Sequence, residues 1–278
     1  RSGGWRMGGR AKGGVGRRKT AKVMAVALAA LVAVGAVRSP SFAVLRRLSP
    51  PDIHAEYVKY VSGKDTITAY IAYPERPTAA PGVIVIHEIF GLSDFVRLTT
   101  EQLAKDGFVA IAPDLLSRGG GTPAAGDSAR QRIVALPPDQ VTADLDATQR
   151  YLTTIKAVRG DAIGVIGFCW GGGQSFRYAT NNSALKAFVV CYGPSPNPLA
   201  DIGRIRAKGL GVYAENDARI NAGLTEMAAA VKQAGKDYQY AIYPGVGHGF
   251  LRARDKPEVA DSAWHTVIAF FRAQLEKK

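Results

Sequence analysis

The chain has 278 residues, 47% hydrophobic, 9% aromatic and 21% charged, and it shows no internal repeat of solenoid or propeller period. That is ordinary globular composition, with length enough for one large core or two small ones. The formal charge of +13 would suit a nucleic-acid binder, but nine Lys or Arg and no acid fall in residues 1–43, so removing them leaves +4 for the rest.

The basic excess opens a segment with the order of an export signal. "GRRKTAK" at 16–22 is followed by fifteen apolar or small residues at 23–37, then by "SPSFA" ending at Ala43. The apolar run is shorter than the roughly 20 residues of a membrane span. Charge, apolar core and small-residue site in this order indicate secretion, with an uncleaved anchor as the alternative. The Arg17-Arg18 pair resembles a twin-arginine signal, which implies a periplasmic protein; the residues after the pair, Thr20 and Ala21, depart from that pattern. Met7 is a second candidate start, and without the signal the protein would be cytoplasmic. Contact with a membrane is expected only through this segment. The domain proper is expected at 44–278.

Residues 44–65 read as a mixed lead-in broken at Pro50-Pro51, and "TITAYIAYP" at 66–74 alternates as a strand does. "GVIVIHE" at 82–88 is a β-branched run suited to a strand buried on both faces. A helix is expected over 93–107, with Ser93 as N-cap and Gly107 as stop, then a buried strand at 108–116 and a loop at 117–128. A long helix at 138–158, a strand at 162–168 and a helix from about 171 follow. "ALKAFVVCYG" ends in a strand, "GLGVYAEND" gives another that stops at Asp217, and 219–234 is helical. "YQYAIYPG" is the last strand, and a helix spans 257–275. Strands alternating with helices imply an α/β fold: a mostly parallel, doubly wound sheet flanked by helices, in one domain.

Ligands of such sheets gather at the carboxyl ends of the strands, where Glu88, Cys169, Asp217 and His248 all fall. "GVIGFCWGGG" at 164–173 frames Cys169 as Gly167-x-Cys-x-Gly171 between a strand and a helix. That is the context of a nucleophile elbow, in which the amide of Trp170 would face an oxyanion. The helix N-terminus would favour a thiolate. The plainer alternative is a small buried residue. His248, between glycines after the last strand, and Asp217 complete the order nucleophile, acid, histidine. Asp217 also suits an N-cap, and Glu215 is a competing acid. Cys169 and Cys191 could pair; both are taken as free thiols, with Cys191 a buried apolar residue.

"HEIFGL" at 87–92, "PDLLSR" at 113–118, "GFCWGGG" at 167–173, "ENDARI" at 215–220 and "GVGHGFLRARD" at 245–255 together resemble the dienelactone hydrolase family, over about residues 52–278. The resemblance implies an α/β-hydrolase fold and a catalytic triad of Cys169, Asp217 and His248. It implies that Glu88 keeps the resting thiol protonated and accepts its proton when substrate arrives, and that Ile89 supplies the second oxyanion-hole amide beside that of Trp170. It maps the two arginines that hold a substrate carboxylate onto Arg118 and Arg252, a task that suits the planar guanidinium fork. Either could instead be a solvated surface charge. Trp170 and "GGGTPAAG" at 119–126 border the expected pocket; Tyr192 either lines it or packs in the core.

The resulting expectation is a hydrolase of lactones or activated carboxylic esters, acting through a thioester acyl-enzyme, with no metal or organic cofactor, no nucleic-acid partner and a monomeric state. A non-catalytic envelope binding protein and a general carboxylesterase without a carboxylate requirement are the alternatives.

Overall fold

The computed structural model describes residues 52–124 and 126–276, and the segment read as an export signal lies outside them. The chain enters the sheet through a hairpin, β1 (Ile53–Ser62) and β2 (Asp65–Pro74), paired antiparallel from Ile53↔Pro74 to Ser62↔Asp65. β1 falls in the stretch expected to be a mixed lead-in. It escapes the sequence pattern because, as an edge strand, it buries only Tyr60 and Ser62 and carries charge along its length.

β3 (Ala80–Ile86) and β4 (Val109–Pro113) are buried at every residue, as their β-branched runs require. Between them α1 (Asp94–Lys105) covers one face of the sheet; Ser93 precedes it without a side-chain cap bond. Within the expected loop, α2 (Gly126–Val134) begins early, and α3 (Pro138–Thr154) follows with Pro at its first turn. β5 (Val158–Phe168) starts four residues before its apolar run, and α4 (Trp170–Asn181) follows after a single residue.

β6 (Ala187–Cys191) and β7 (Lys208–Asn216) continue the sheet. The single helix expected over 219–234 is two, α5 (Ala218–Asn221) and α6 (Leu224–Gln233), divided near Gly223. β8 (Tyr238–Gly247), a short α7 (Phe250–Ala253) and α8 (Pro257–Leu275) complete the chain.

The eight strands run in the order β1-β2-β4-β3-β5-β6-β7-β8, antiparallel at β1, β2 and β4 and parallel from there on. Alternate residues of one strand feed two cores. On β6, Phe188 and Val190 join the core that also holds Leu145 of α3 and Tyr178 of α4, while Ala187, Val189 and Cys191 join the one holding Leu103 of α1 and Phe271 of α8. Because β3, β5, β6, β7 and β8 are parallel, the residues that follow them emerge at one edge. Glu88, Cys169, Tyr192, Asp217 and His248 all lie there. No helix among the described residues is long and apolar enough to cross a membrane.

Candidate active site

Cys169 is the whole connection between β5 and α4, and that brevity forces its backbone to φ 56°, ψ −116°. A non-glycine residue at positive φ is strained, and such strain collects at functional turns. The turn closes because two neighbours lack a Cβ. One on Gly167 would lie 1.9 Å from the carbonyl oxygen of Gly171, and one on Gly171 would lie 2.4 Å from that of His87. The Cys169 amide donates to the Cys191 carbonyl at 3.0 Å, which ties the turn to β6.

Burial pushes the Cys169 thiol above its ordinary value. The Trp170 amide, which points at the sulfur, opposes the shift; Glu88 raises it further, Arg219 lowers it, and Asp217 adds a small rise. No hydrogen bond joins Cys169 to His248 among the described residues. Both cysteines are free, and Cys191 is fully buried in the apolar core.

Asp217 does two things at once. Its Oδ1 accepts from the amide of Ile220 at 3.4 Å and so caps α5, while its Oδ2 lies 2.5 Å from His248 Nδ1. That contact fixes the imidazole with Nε2 outward, the orientation a proton shuttle requires. Glu215, the competing acid, is engaged elsewhere: its Oε2 accepts from the amide of Gly245 at 2.7 Å and braces the end of β8.

Glu88 is 2% exposed, with Oε2 at 2.9 Å from Arg252 Nε. Burial pushes its carboxyl up, and the Arg252 charge opposes that. Arg252 also lies over the Phe90 ring, 5.0 Å from its centroid. The terminal nitrogens of Arg252 have no hydrogen-bond partner among the described residues. Beside Arg252, a groove of about 620 Å³ runs between α1 and α8, with Phe95, Phe168 and Trp264 as apolar lining and Gln102, Asp261 and His265 as polar lining; Cys169, Asp217 and His248 do not line it. The amide of Ile89 finds no acceptor among the described residues, as an oxyanion donor must not.

Two residues expected to contact substrate are engaged within the protein instead. Arg118 is held by side chains of three elements. Its Nε and Nη2 donate to the two oxygens of Asp144 at 3.2 and 2.6 Å, Nη1 binds Asp65, and Nη2 also faces Ser62. The sequence places Arg118 after a strand end but cannot show that three partners on β1, β2 and α3 converge on it. Tyr192 does not line an open surface. At φ 41° it turns inward, is fully buried, and sets its ring edge against His248 at 5.1 Å. Among the described residues its hydroxyl has no hydrogen-bond partner.

Two residues that the sequence does not single out, Arg219 and Thr122, and one that it does, Trp170, also bear on the site. Arg219 acts on the thiol by position on α5. Thr122, from the 119–126 segment, receives a hydrogen bond from the Leu92 amide at 2.9 Å and donates to Asp114 at 2.9 Å, clasping the loop after β3. The Trp170 indole is half-buried and stacks on His87, 5.7 Å between centroids and 16° between planes.

The model of the dienelactone hydrolase family matches residues 67–275. The chain belongs to the dienelactone hydrolase family. A relative from Saccharolobus solfataricus, whose name assigns it provisionally as a carboxymethylenebutenolidase, is 33% identical over 250 residues, covering 77% of this chain and 96% of its own. One from Escherichia coli K12 with the same provisional name is 33% identical, covering 83% of this chain and 91% of its own. A crystal structure from Klebsiella pneumoniae, titled provisionally a dienelactone hydrolase, superposes with a TM-score of 0.74 at 29% identity, covering 79% of this chain and 98% of its own. As a dienelactone hydrolase family member, the protein is a hydrolase of the single-domain α/β type.

Proposed function

We propose that the protein hydrolyses lactones or activated carboxylic esters with Cys169 as nucleophile. The observation that carries this reading is the pairing, at one sheet edge, of a thiol held at φ 56° on a helix N-terminus with a histidine fixed by a carboxylate at 2.5 Å. The resting thiol gives its proton to Glu88 once a substrate draws Arg252 away from that carboxylate. The thiolate then attacks the carbonyl carbon, and the C=O electron pair moves to oxygen, which faces the amides of Ile89 and Trp170. As the tetrahedral carbon collapses, the ring or ester C–O bond breaks and the leaving oxygen takes up the proton that Cys169 released to Glu88. A thioester remains. His248 then takes a proton from water, water attacks the thioester, and Cys169 leaves as thiolate, to which His248 returns that proton.

The terminal nitrogens of Arg252 support a carboxylate on the substrate, gripped by one arginine rather than two. Replacing Cys169 with Ala and assaying p-nitrophenyl acetate and a dienelactone tests the nucleophile; turnover at the wild-type rate overturns it. Arg252→Met tests the carboxylate. A charge-assisted hydrogen bond is worth about 1.5–3 kcal/mol, so kcat/KM is expected to fall ~10–100-fold for a carboxylate-bearing lactone and little for its methyl ester. Residues 1–43 support export to the periplasm, which cell fractionation of the full chain tests.

A further inference from the structure

We infer that His87 is a positioning residue of the oxyanion hole, aligning the amides of both Ile89 and Trp170; this rests on the hydrolase reading above. His87 directly follows β3 and its ring is fully buried, with a partner at each nitrogen. Nδ1 lies 2.8 Å from the carbonyl oxygen of Glu88, and Nε2 lies 3.3 Å from the amide nitrogen of Leu115. A carbonyl can only accept and a backbone amide can only donate. One neutral tautomer satisfies both, with the proton on Nδ1. Burial keeps the imidazole neutral by pushing its pKa down, against the Glu88 carbonyl and the Asp114 charge.

The Glu88 carbonyl is no ordinary acceptor. It shares a planar trans peptide with the N–H of Ile89, and the two point in opposite directions. The imidazole at 2.8 Å and the Gly91 amide at 3.2 Å both hold that oxygen, and holding it aims the Ile89 amide the opposite way. The Leu115 bond anchors the imidazole to the segment after β4. The next residues reinforce it: Asp114 accepts from the Leu116 and Thr122 amides at 3.0 and 2.7 Å, and Thr122 accepts from Leu92. The loop from 87 to 92 is thus held at both ends. The other face of the same imidazole carries the Trp170 indole, and the backbone of Trp170 supplies the second oxyanion donor. At Gly171, one residue on, a Cβ would lie 2.4 Å from the His87 carbonyl oxygen, so only glycine fits there. One ring therefore references both donors.

A buried histidine that merely fills space would affect folding and leave chemistry alone, so the test separates the two. His87→Ala and His87→Asn both lose the stack and the Leu115 acceptor, but the Asn amide restores a donor near Nδ1. His87→Phe keeps the stack and loses both hydrogen bonds. Steady-state hydrolysis of p-nitrophenyl acetate and the rate of Cys169 alkylation by iodoacetamide are measured for each. Alkylation displaces iodide at a saturated carbon and builds no oxyanion. Removing one oxyanion donor costs about 10²–10³ in kcat, so a misaimed one is expected to cost ~10–100-fold in His87→Ala and His87→Phe. KM and the alkylation rate should stay within about twofold, and His87→Asn should regain most of the lost kcat. The inference is overturned if kcat of His87→Ala stays within twofold of wild type, if alkylation falls with kcat, or if Asn does no better than Ala. Should His87→Phe not fold, the Ala and Asn pair decides alone. Absence of any wild-type hydrolysis, with Cys169 alkylated normally, would sink the hydrolase reading and this inference with it.

Discussion

At Cys169 the charges work against one another. Burial, Glu88 and Asp217 favour the thiol, while the Trp170 amide and Arg219 favour the thiolate. Since burial is the largest, alkylation of the free enzyme should rise with pH on the alkaline side of an ordinary cysteine, near 8.5. Arg219→Met removes a lowering influence and should move that profile to higher pH. Glu88→Gln removes a raising one and should move it to lower pH. Arg219 is exposed, so its effect should be a fraction of a pH unit and should shrink in high salt. Shifts in the same direction would contradict the assignment. Glu88 also bears on stability. Its folded carboxyl is raised by burial, so the stability it contributes is present in acid and is lost as pH rises from the ordinary glutamate value through the raised one. Glu88→Gln should therefore unfold at a higher temperature than wild type at pH 7, and the gain should shrink toward pH 4.

The site depends on how closely its elements approach. The start of α4 lies against the ends of β3 and β5 with no room for a methyl group: a Cβ on Gly171 would meet both the Ile86 and His87 carbonyls, at 2.5 and 2.4 Å. Backbone cannot yield as a flexible side chain does. Gly171→Ala should cost at least the 1–3 kcal/mol typical of overpacking, read as a lower urea midpoint at unchanged slope. The clasp over the loop after β3 is a lighter device. Thr122→Ala frees the Leu92 amide and is expected to lower kcat several-fold with little change in melting temperature, since Thr122 stands at a partly exposed loop.

Over the whole molecule, Arg118 is a staple rather than a ligand. It joins the β1–β2 hairpin to α3 through Asp65, Ser62 and Asp144, and the Asp144 side chain is 1% exposed. Arg118→Met strands a buried carboxylate, which costs about 3 kcal/mol or more. For a domain of this size that lowers the melting temperature by roughly 6–12 °C. KM for a carboxylate-bearing lactone should not change in the fraction that stays folded, whereas a ligand role would raise it.

The sequence alone determined the parallel α/β sheet and the strand-end placement of Glu88, Cys169, Asp217 and His248. Both follow from local physics: β-branched runs, helical periodicity, and a glycine frame that only a tight strand-to-helix turn needs. Tertiary structure decided the partners. β1 was illegible because an edge strand buries too little to impose a pattern. Arg118 and Arg252 look alike in the sequence, yet one meets three groups from distant segments, while the other pairs through Nε with Glu88 and has no partner for its terminal nitrogens among the described residues. Tyr192 read as either wall or core, and a positive φ turned it inward. His87 looked like the last letter of a strand until the peptide after it and the indole beside it were in place. Side-chain direction and long-range convergence depend on chain segments tens of residues apart, and no local pattern encodes them.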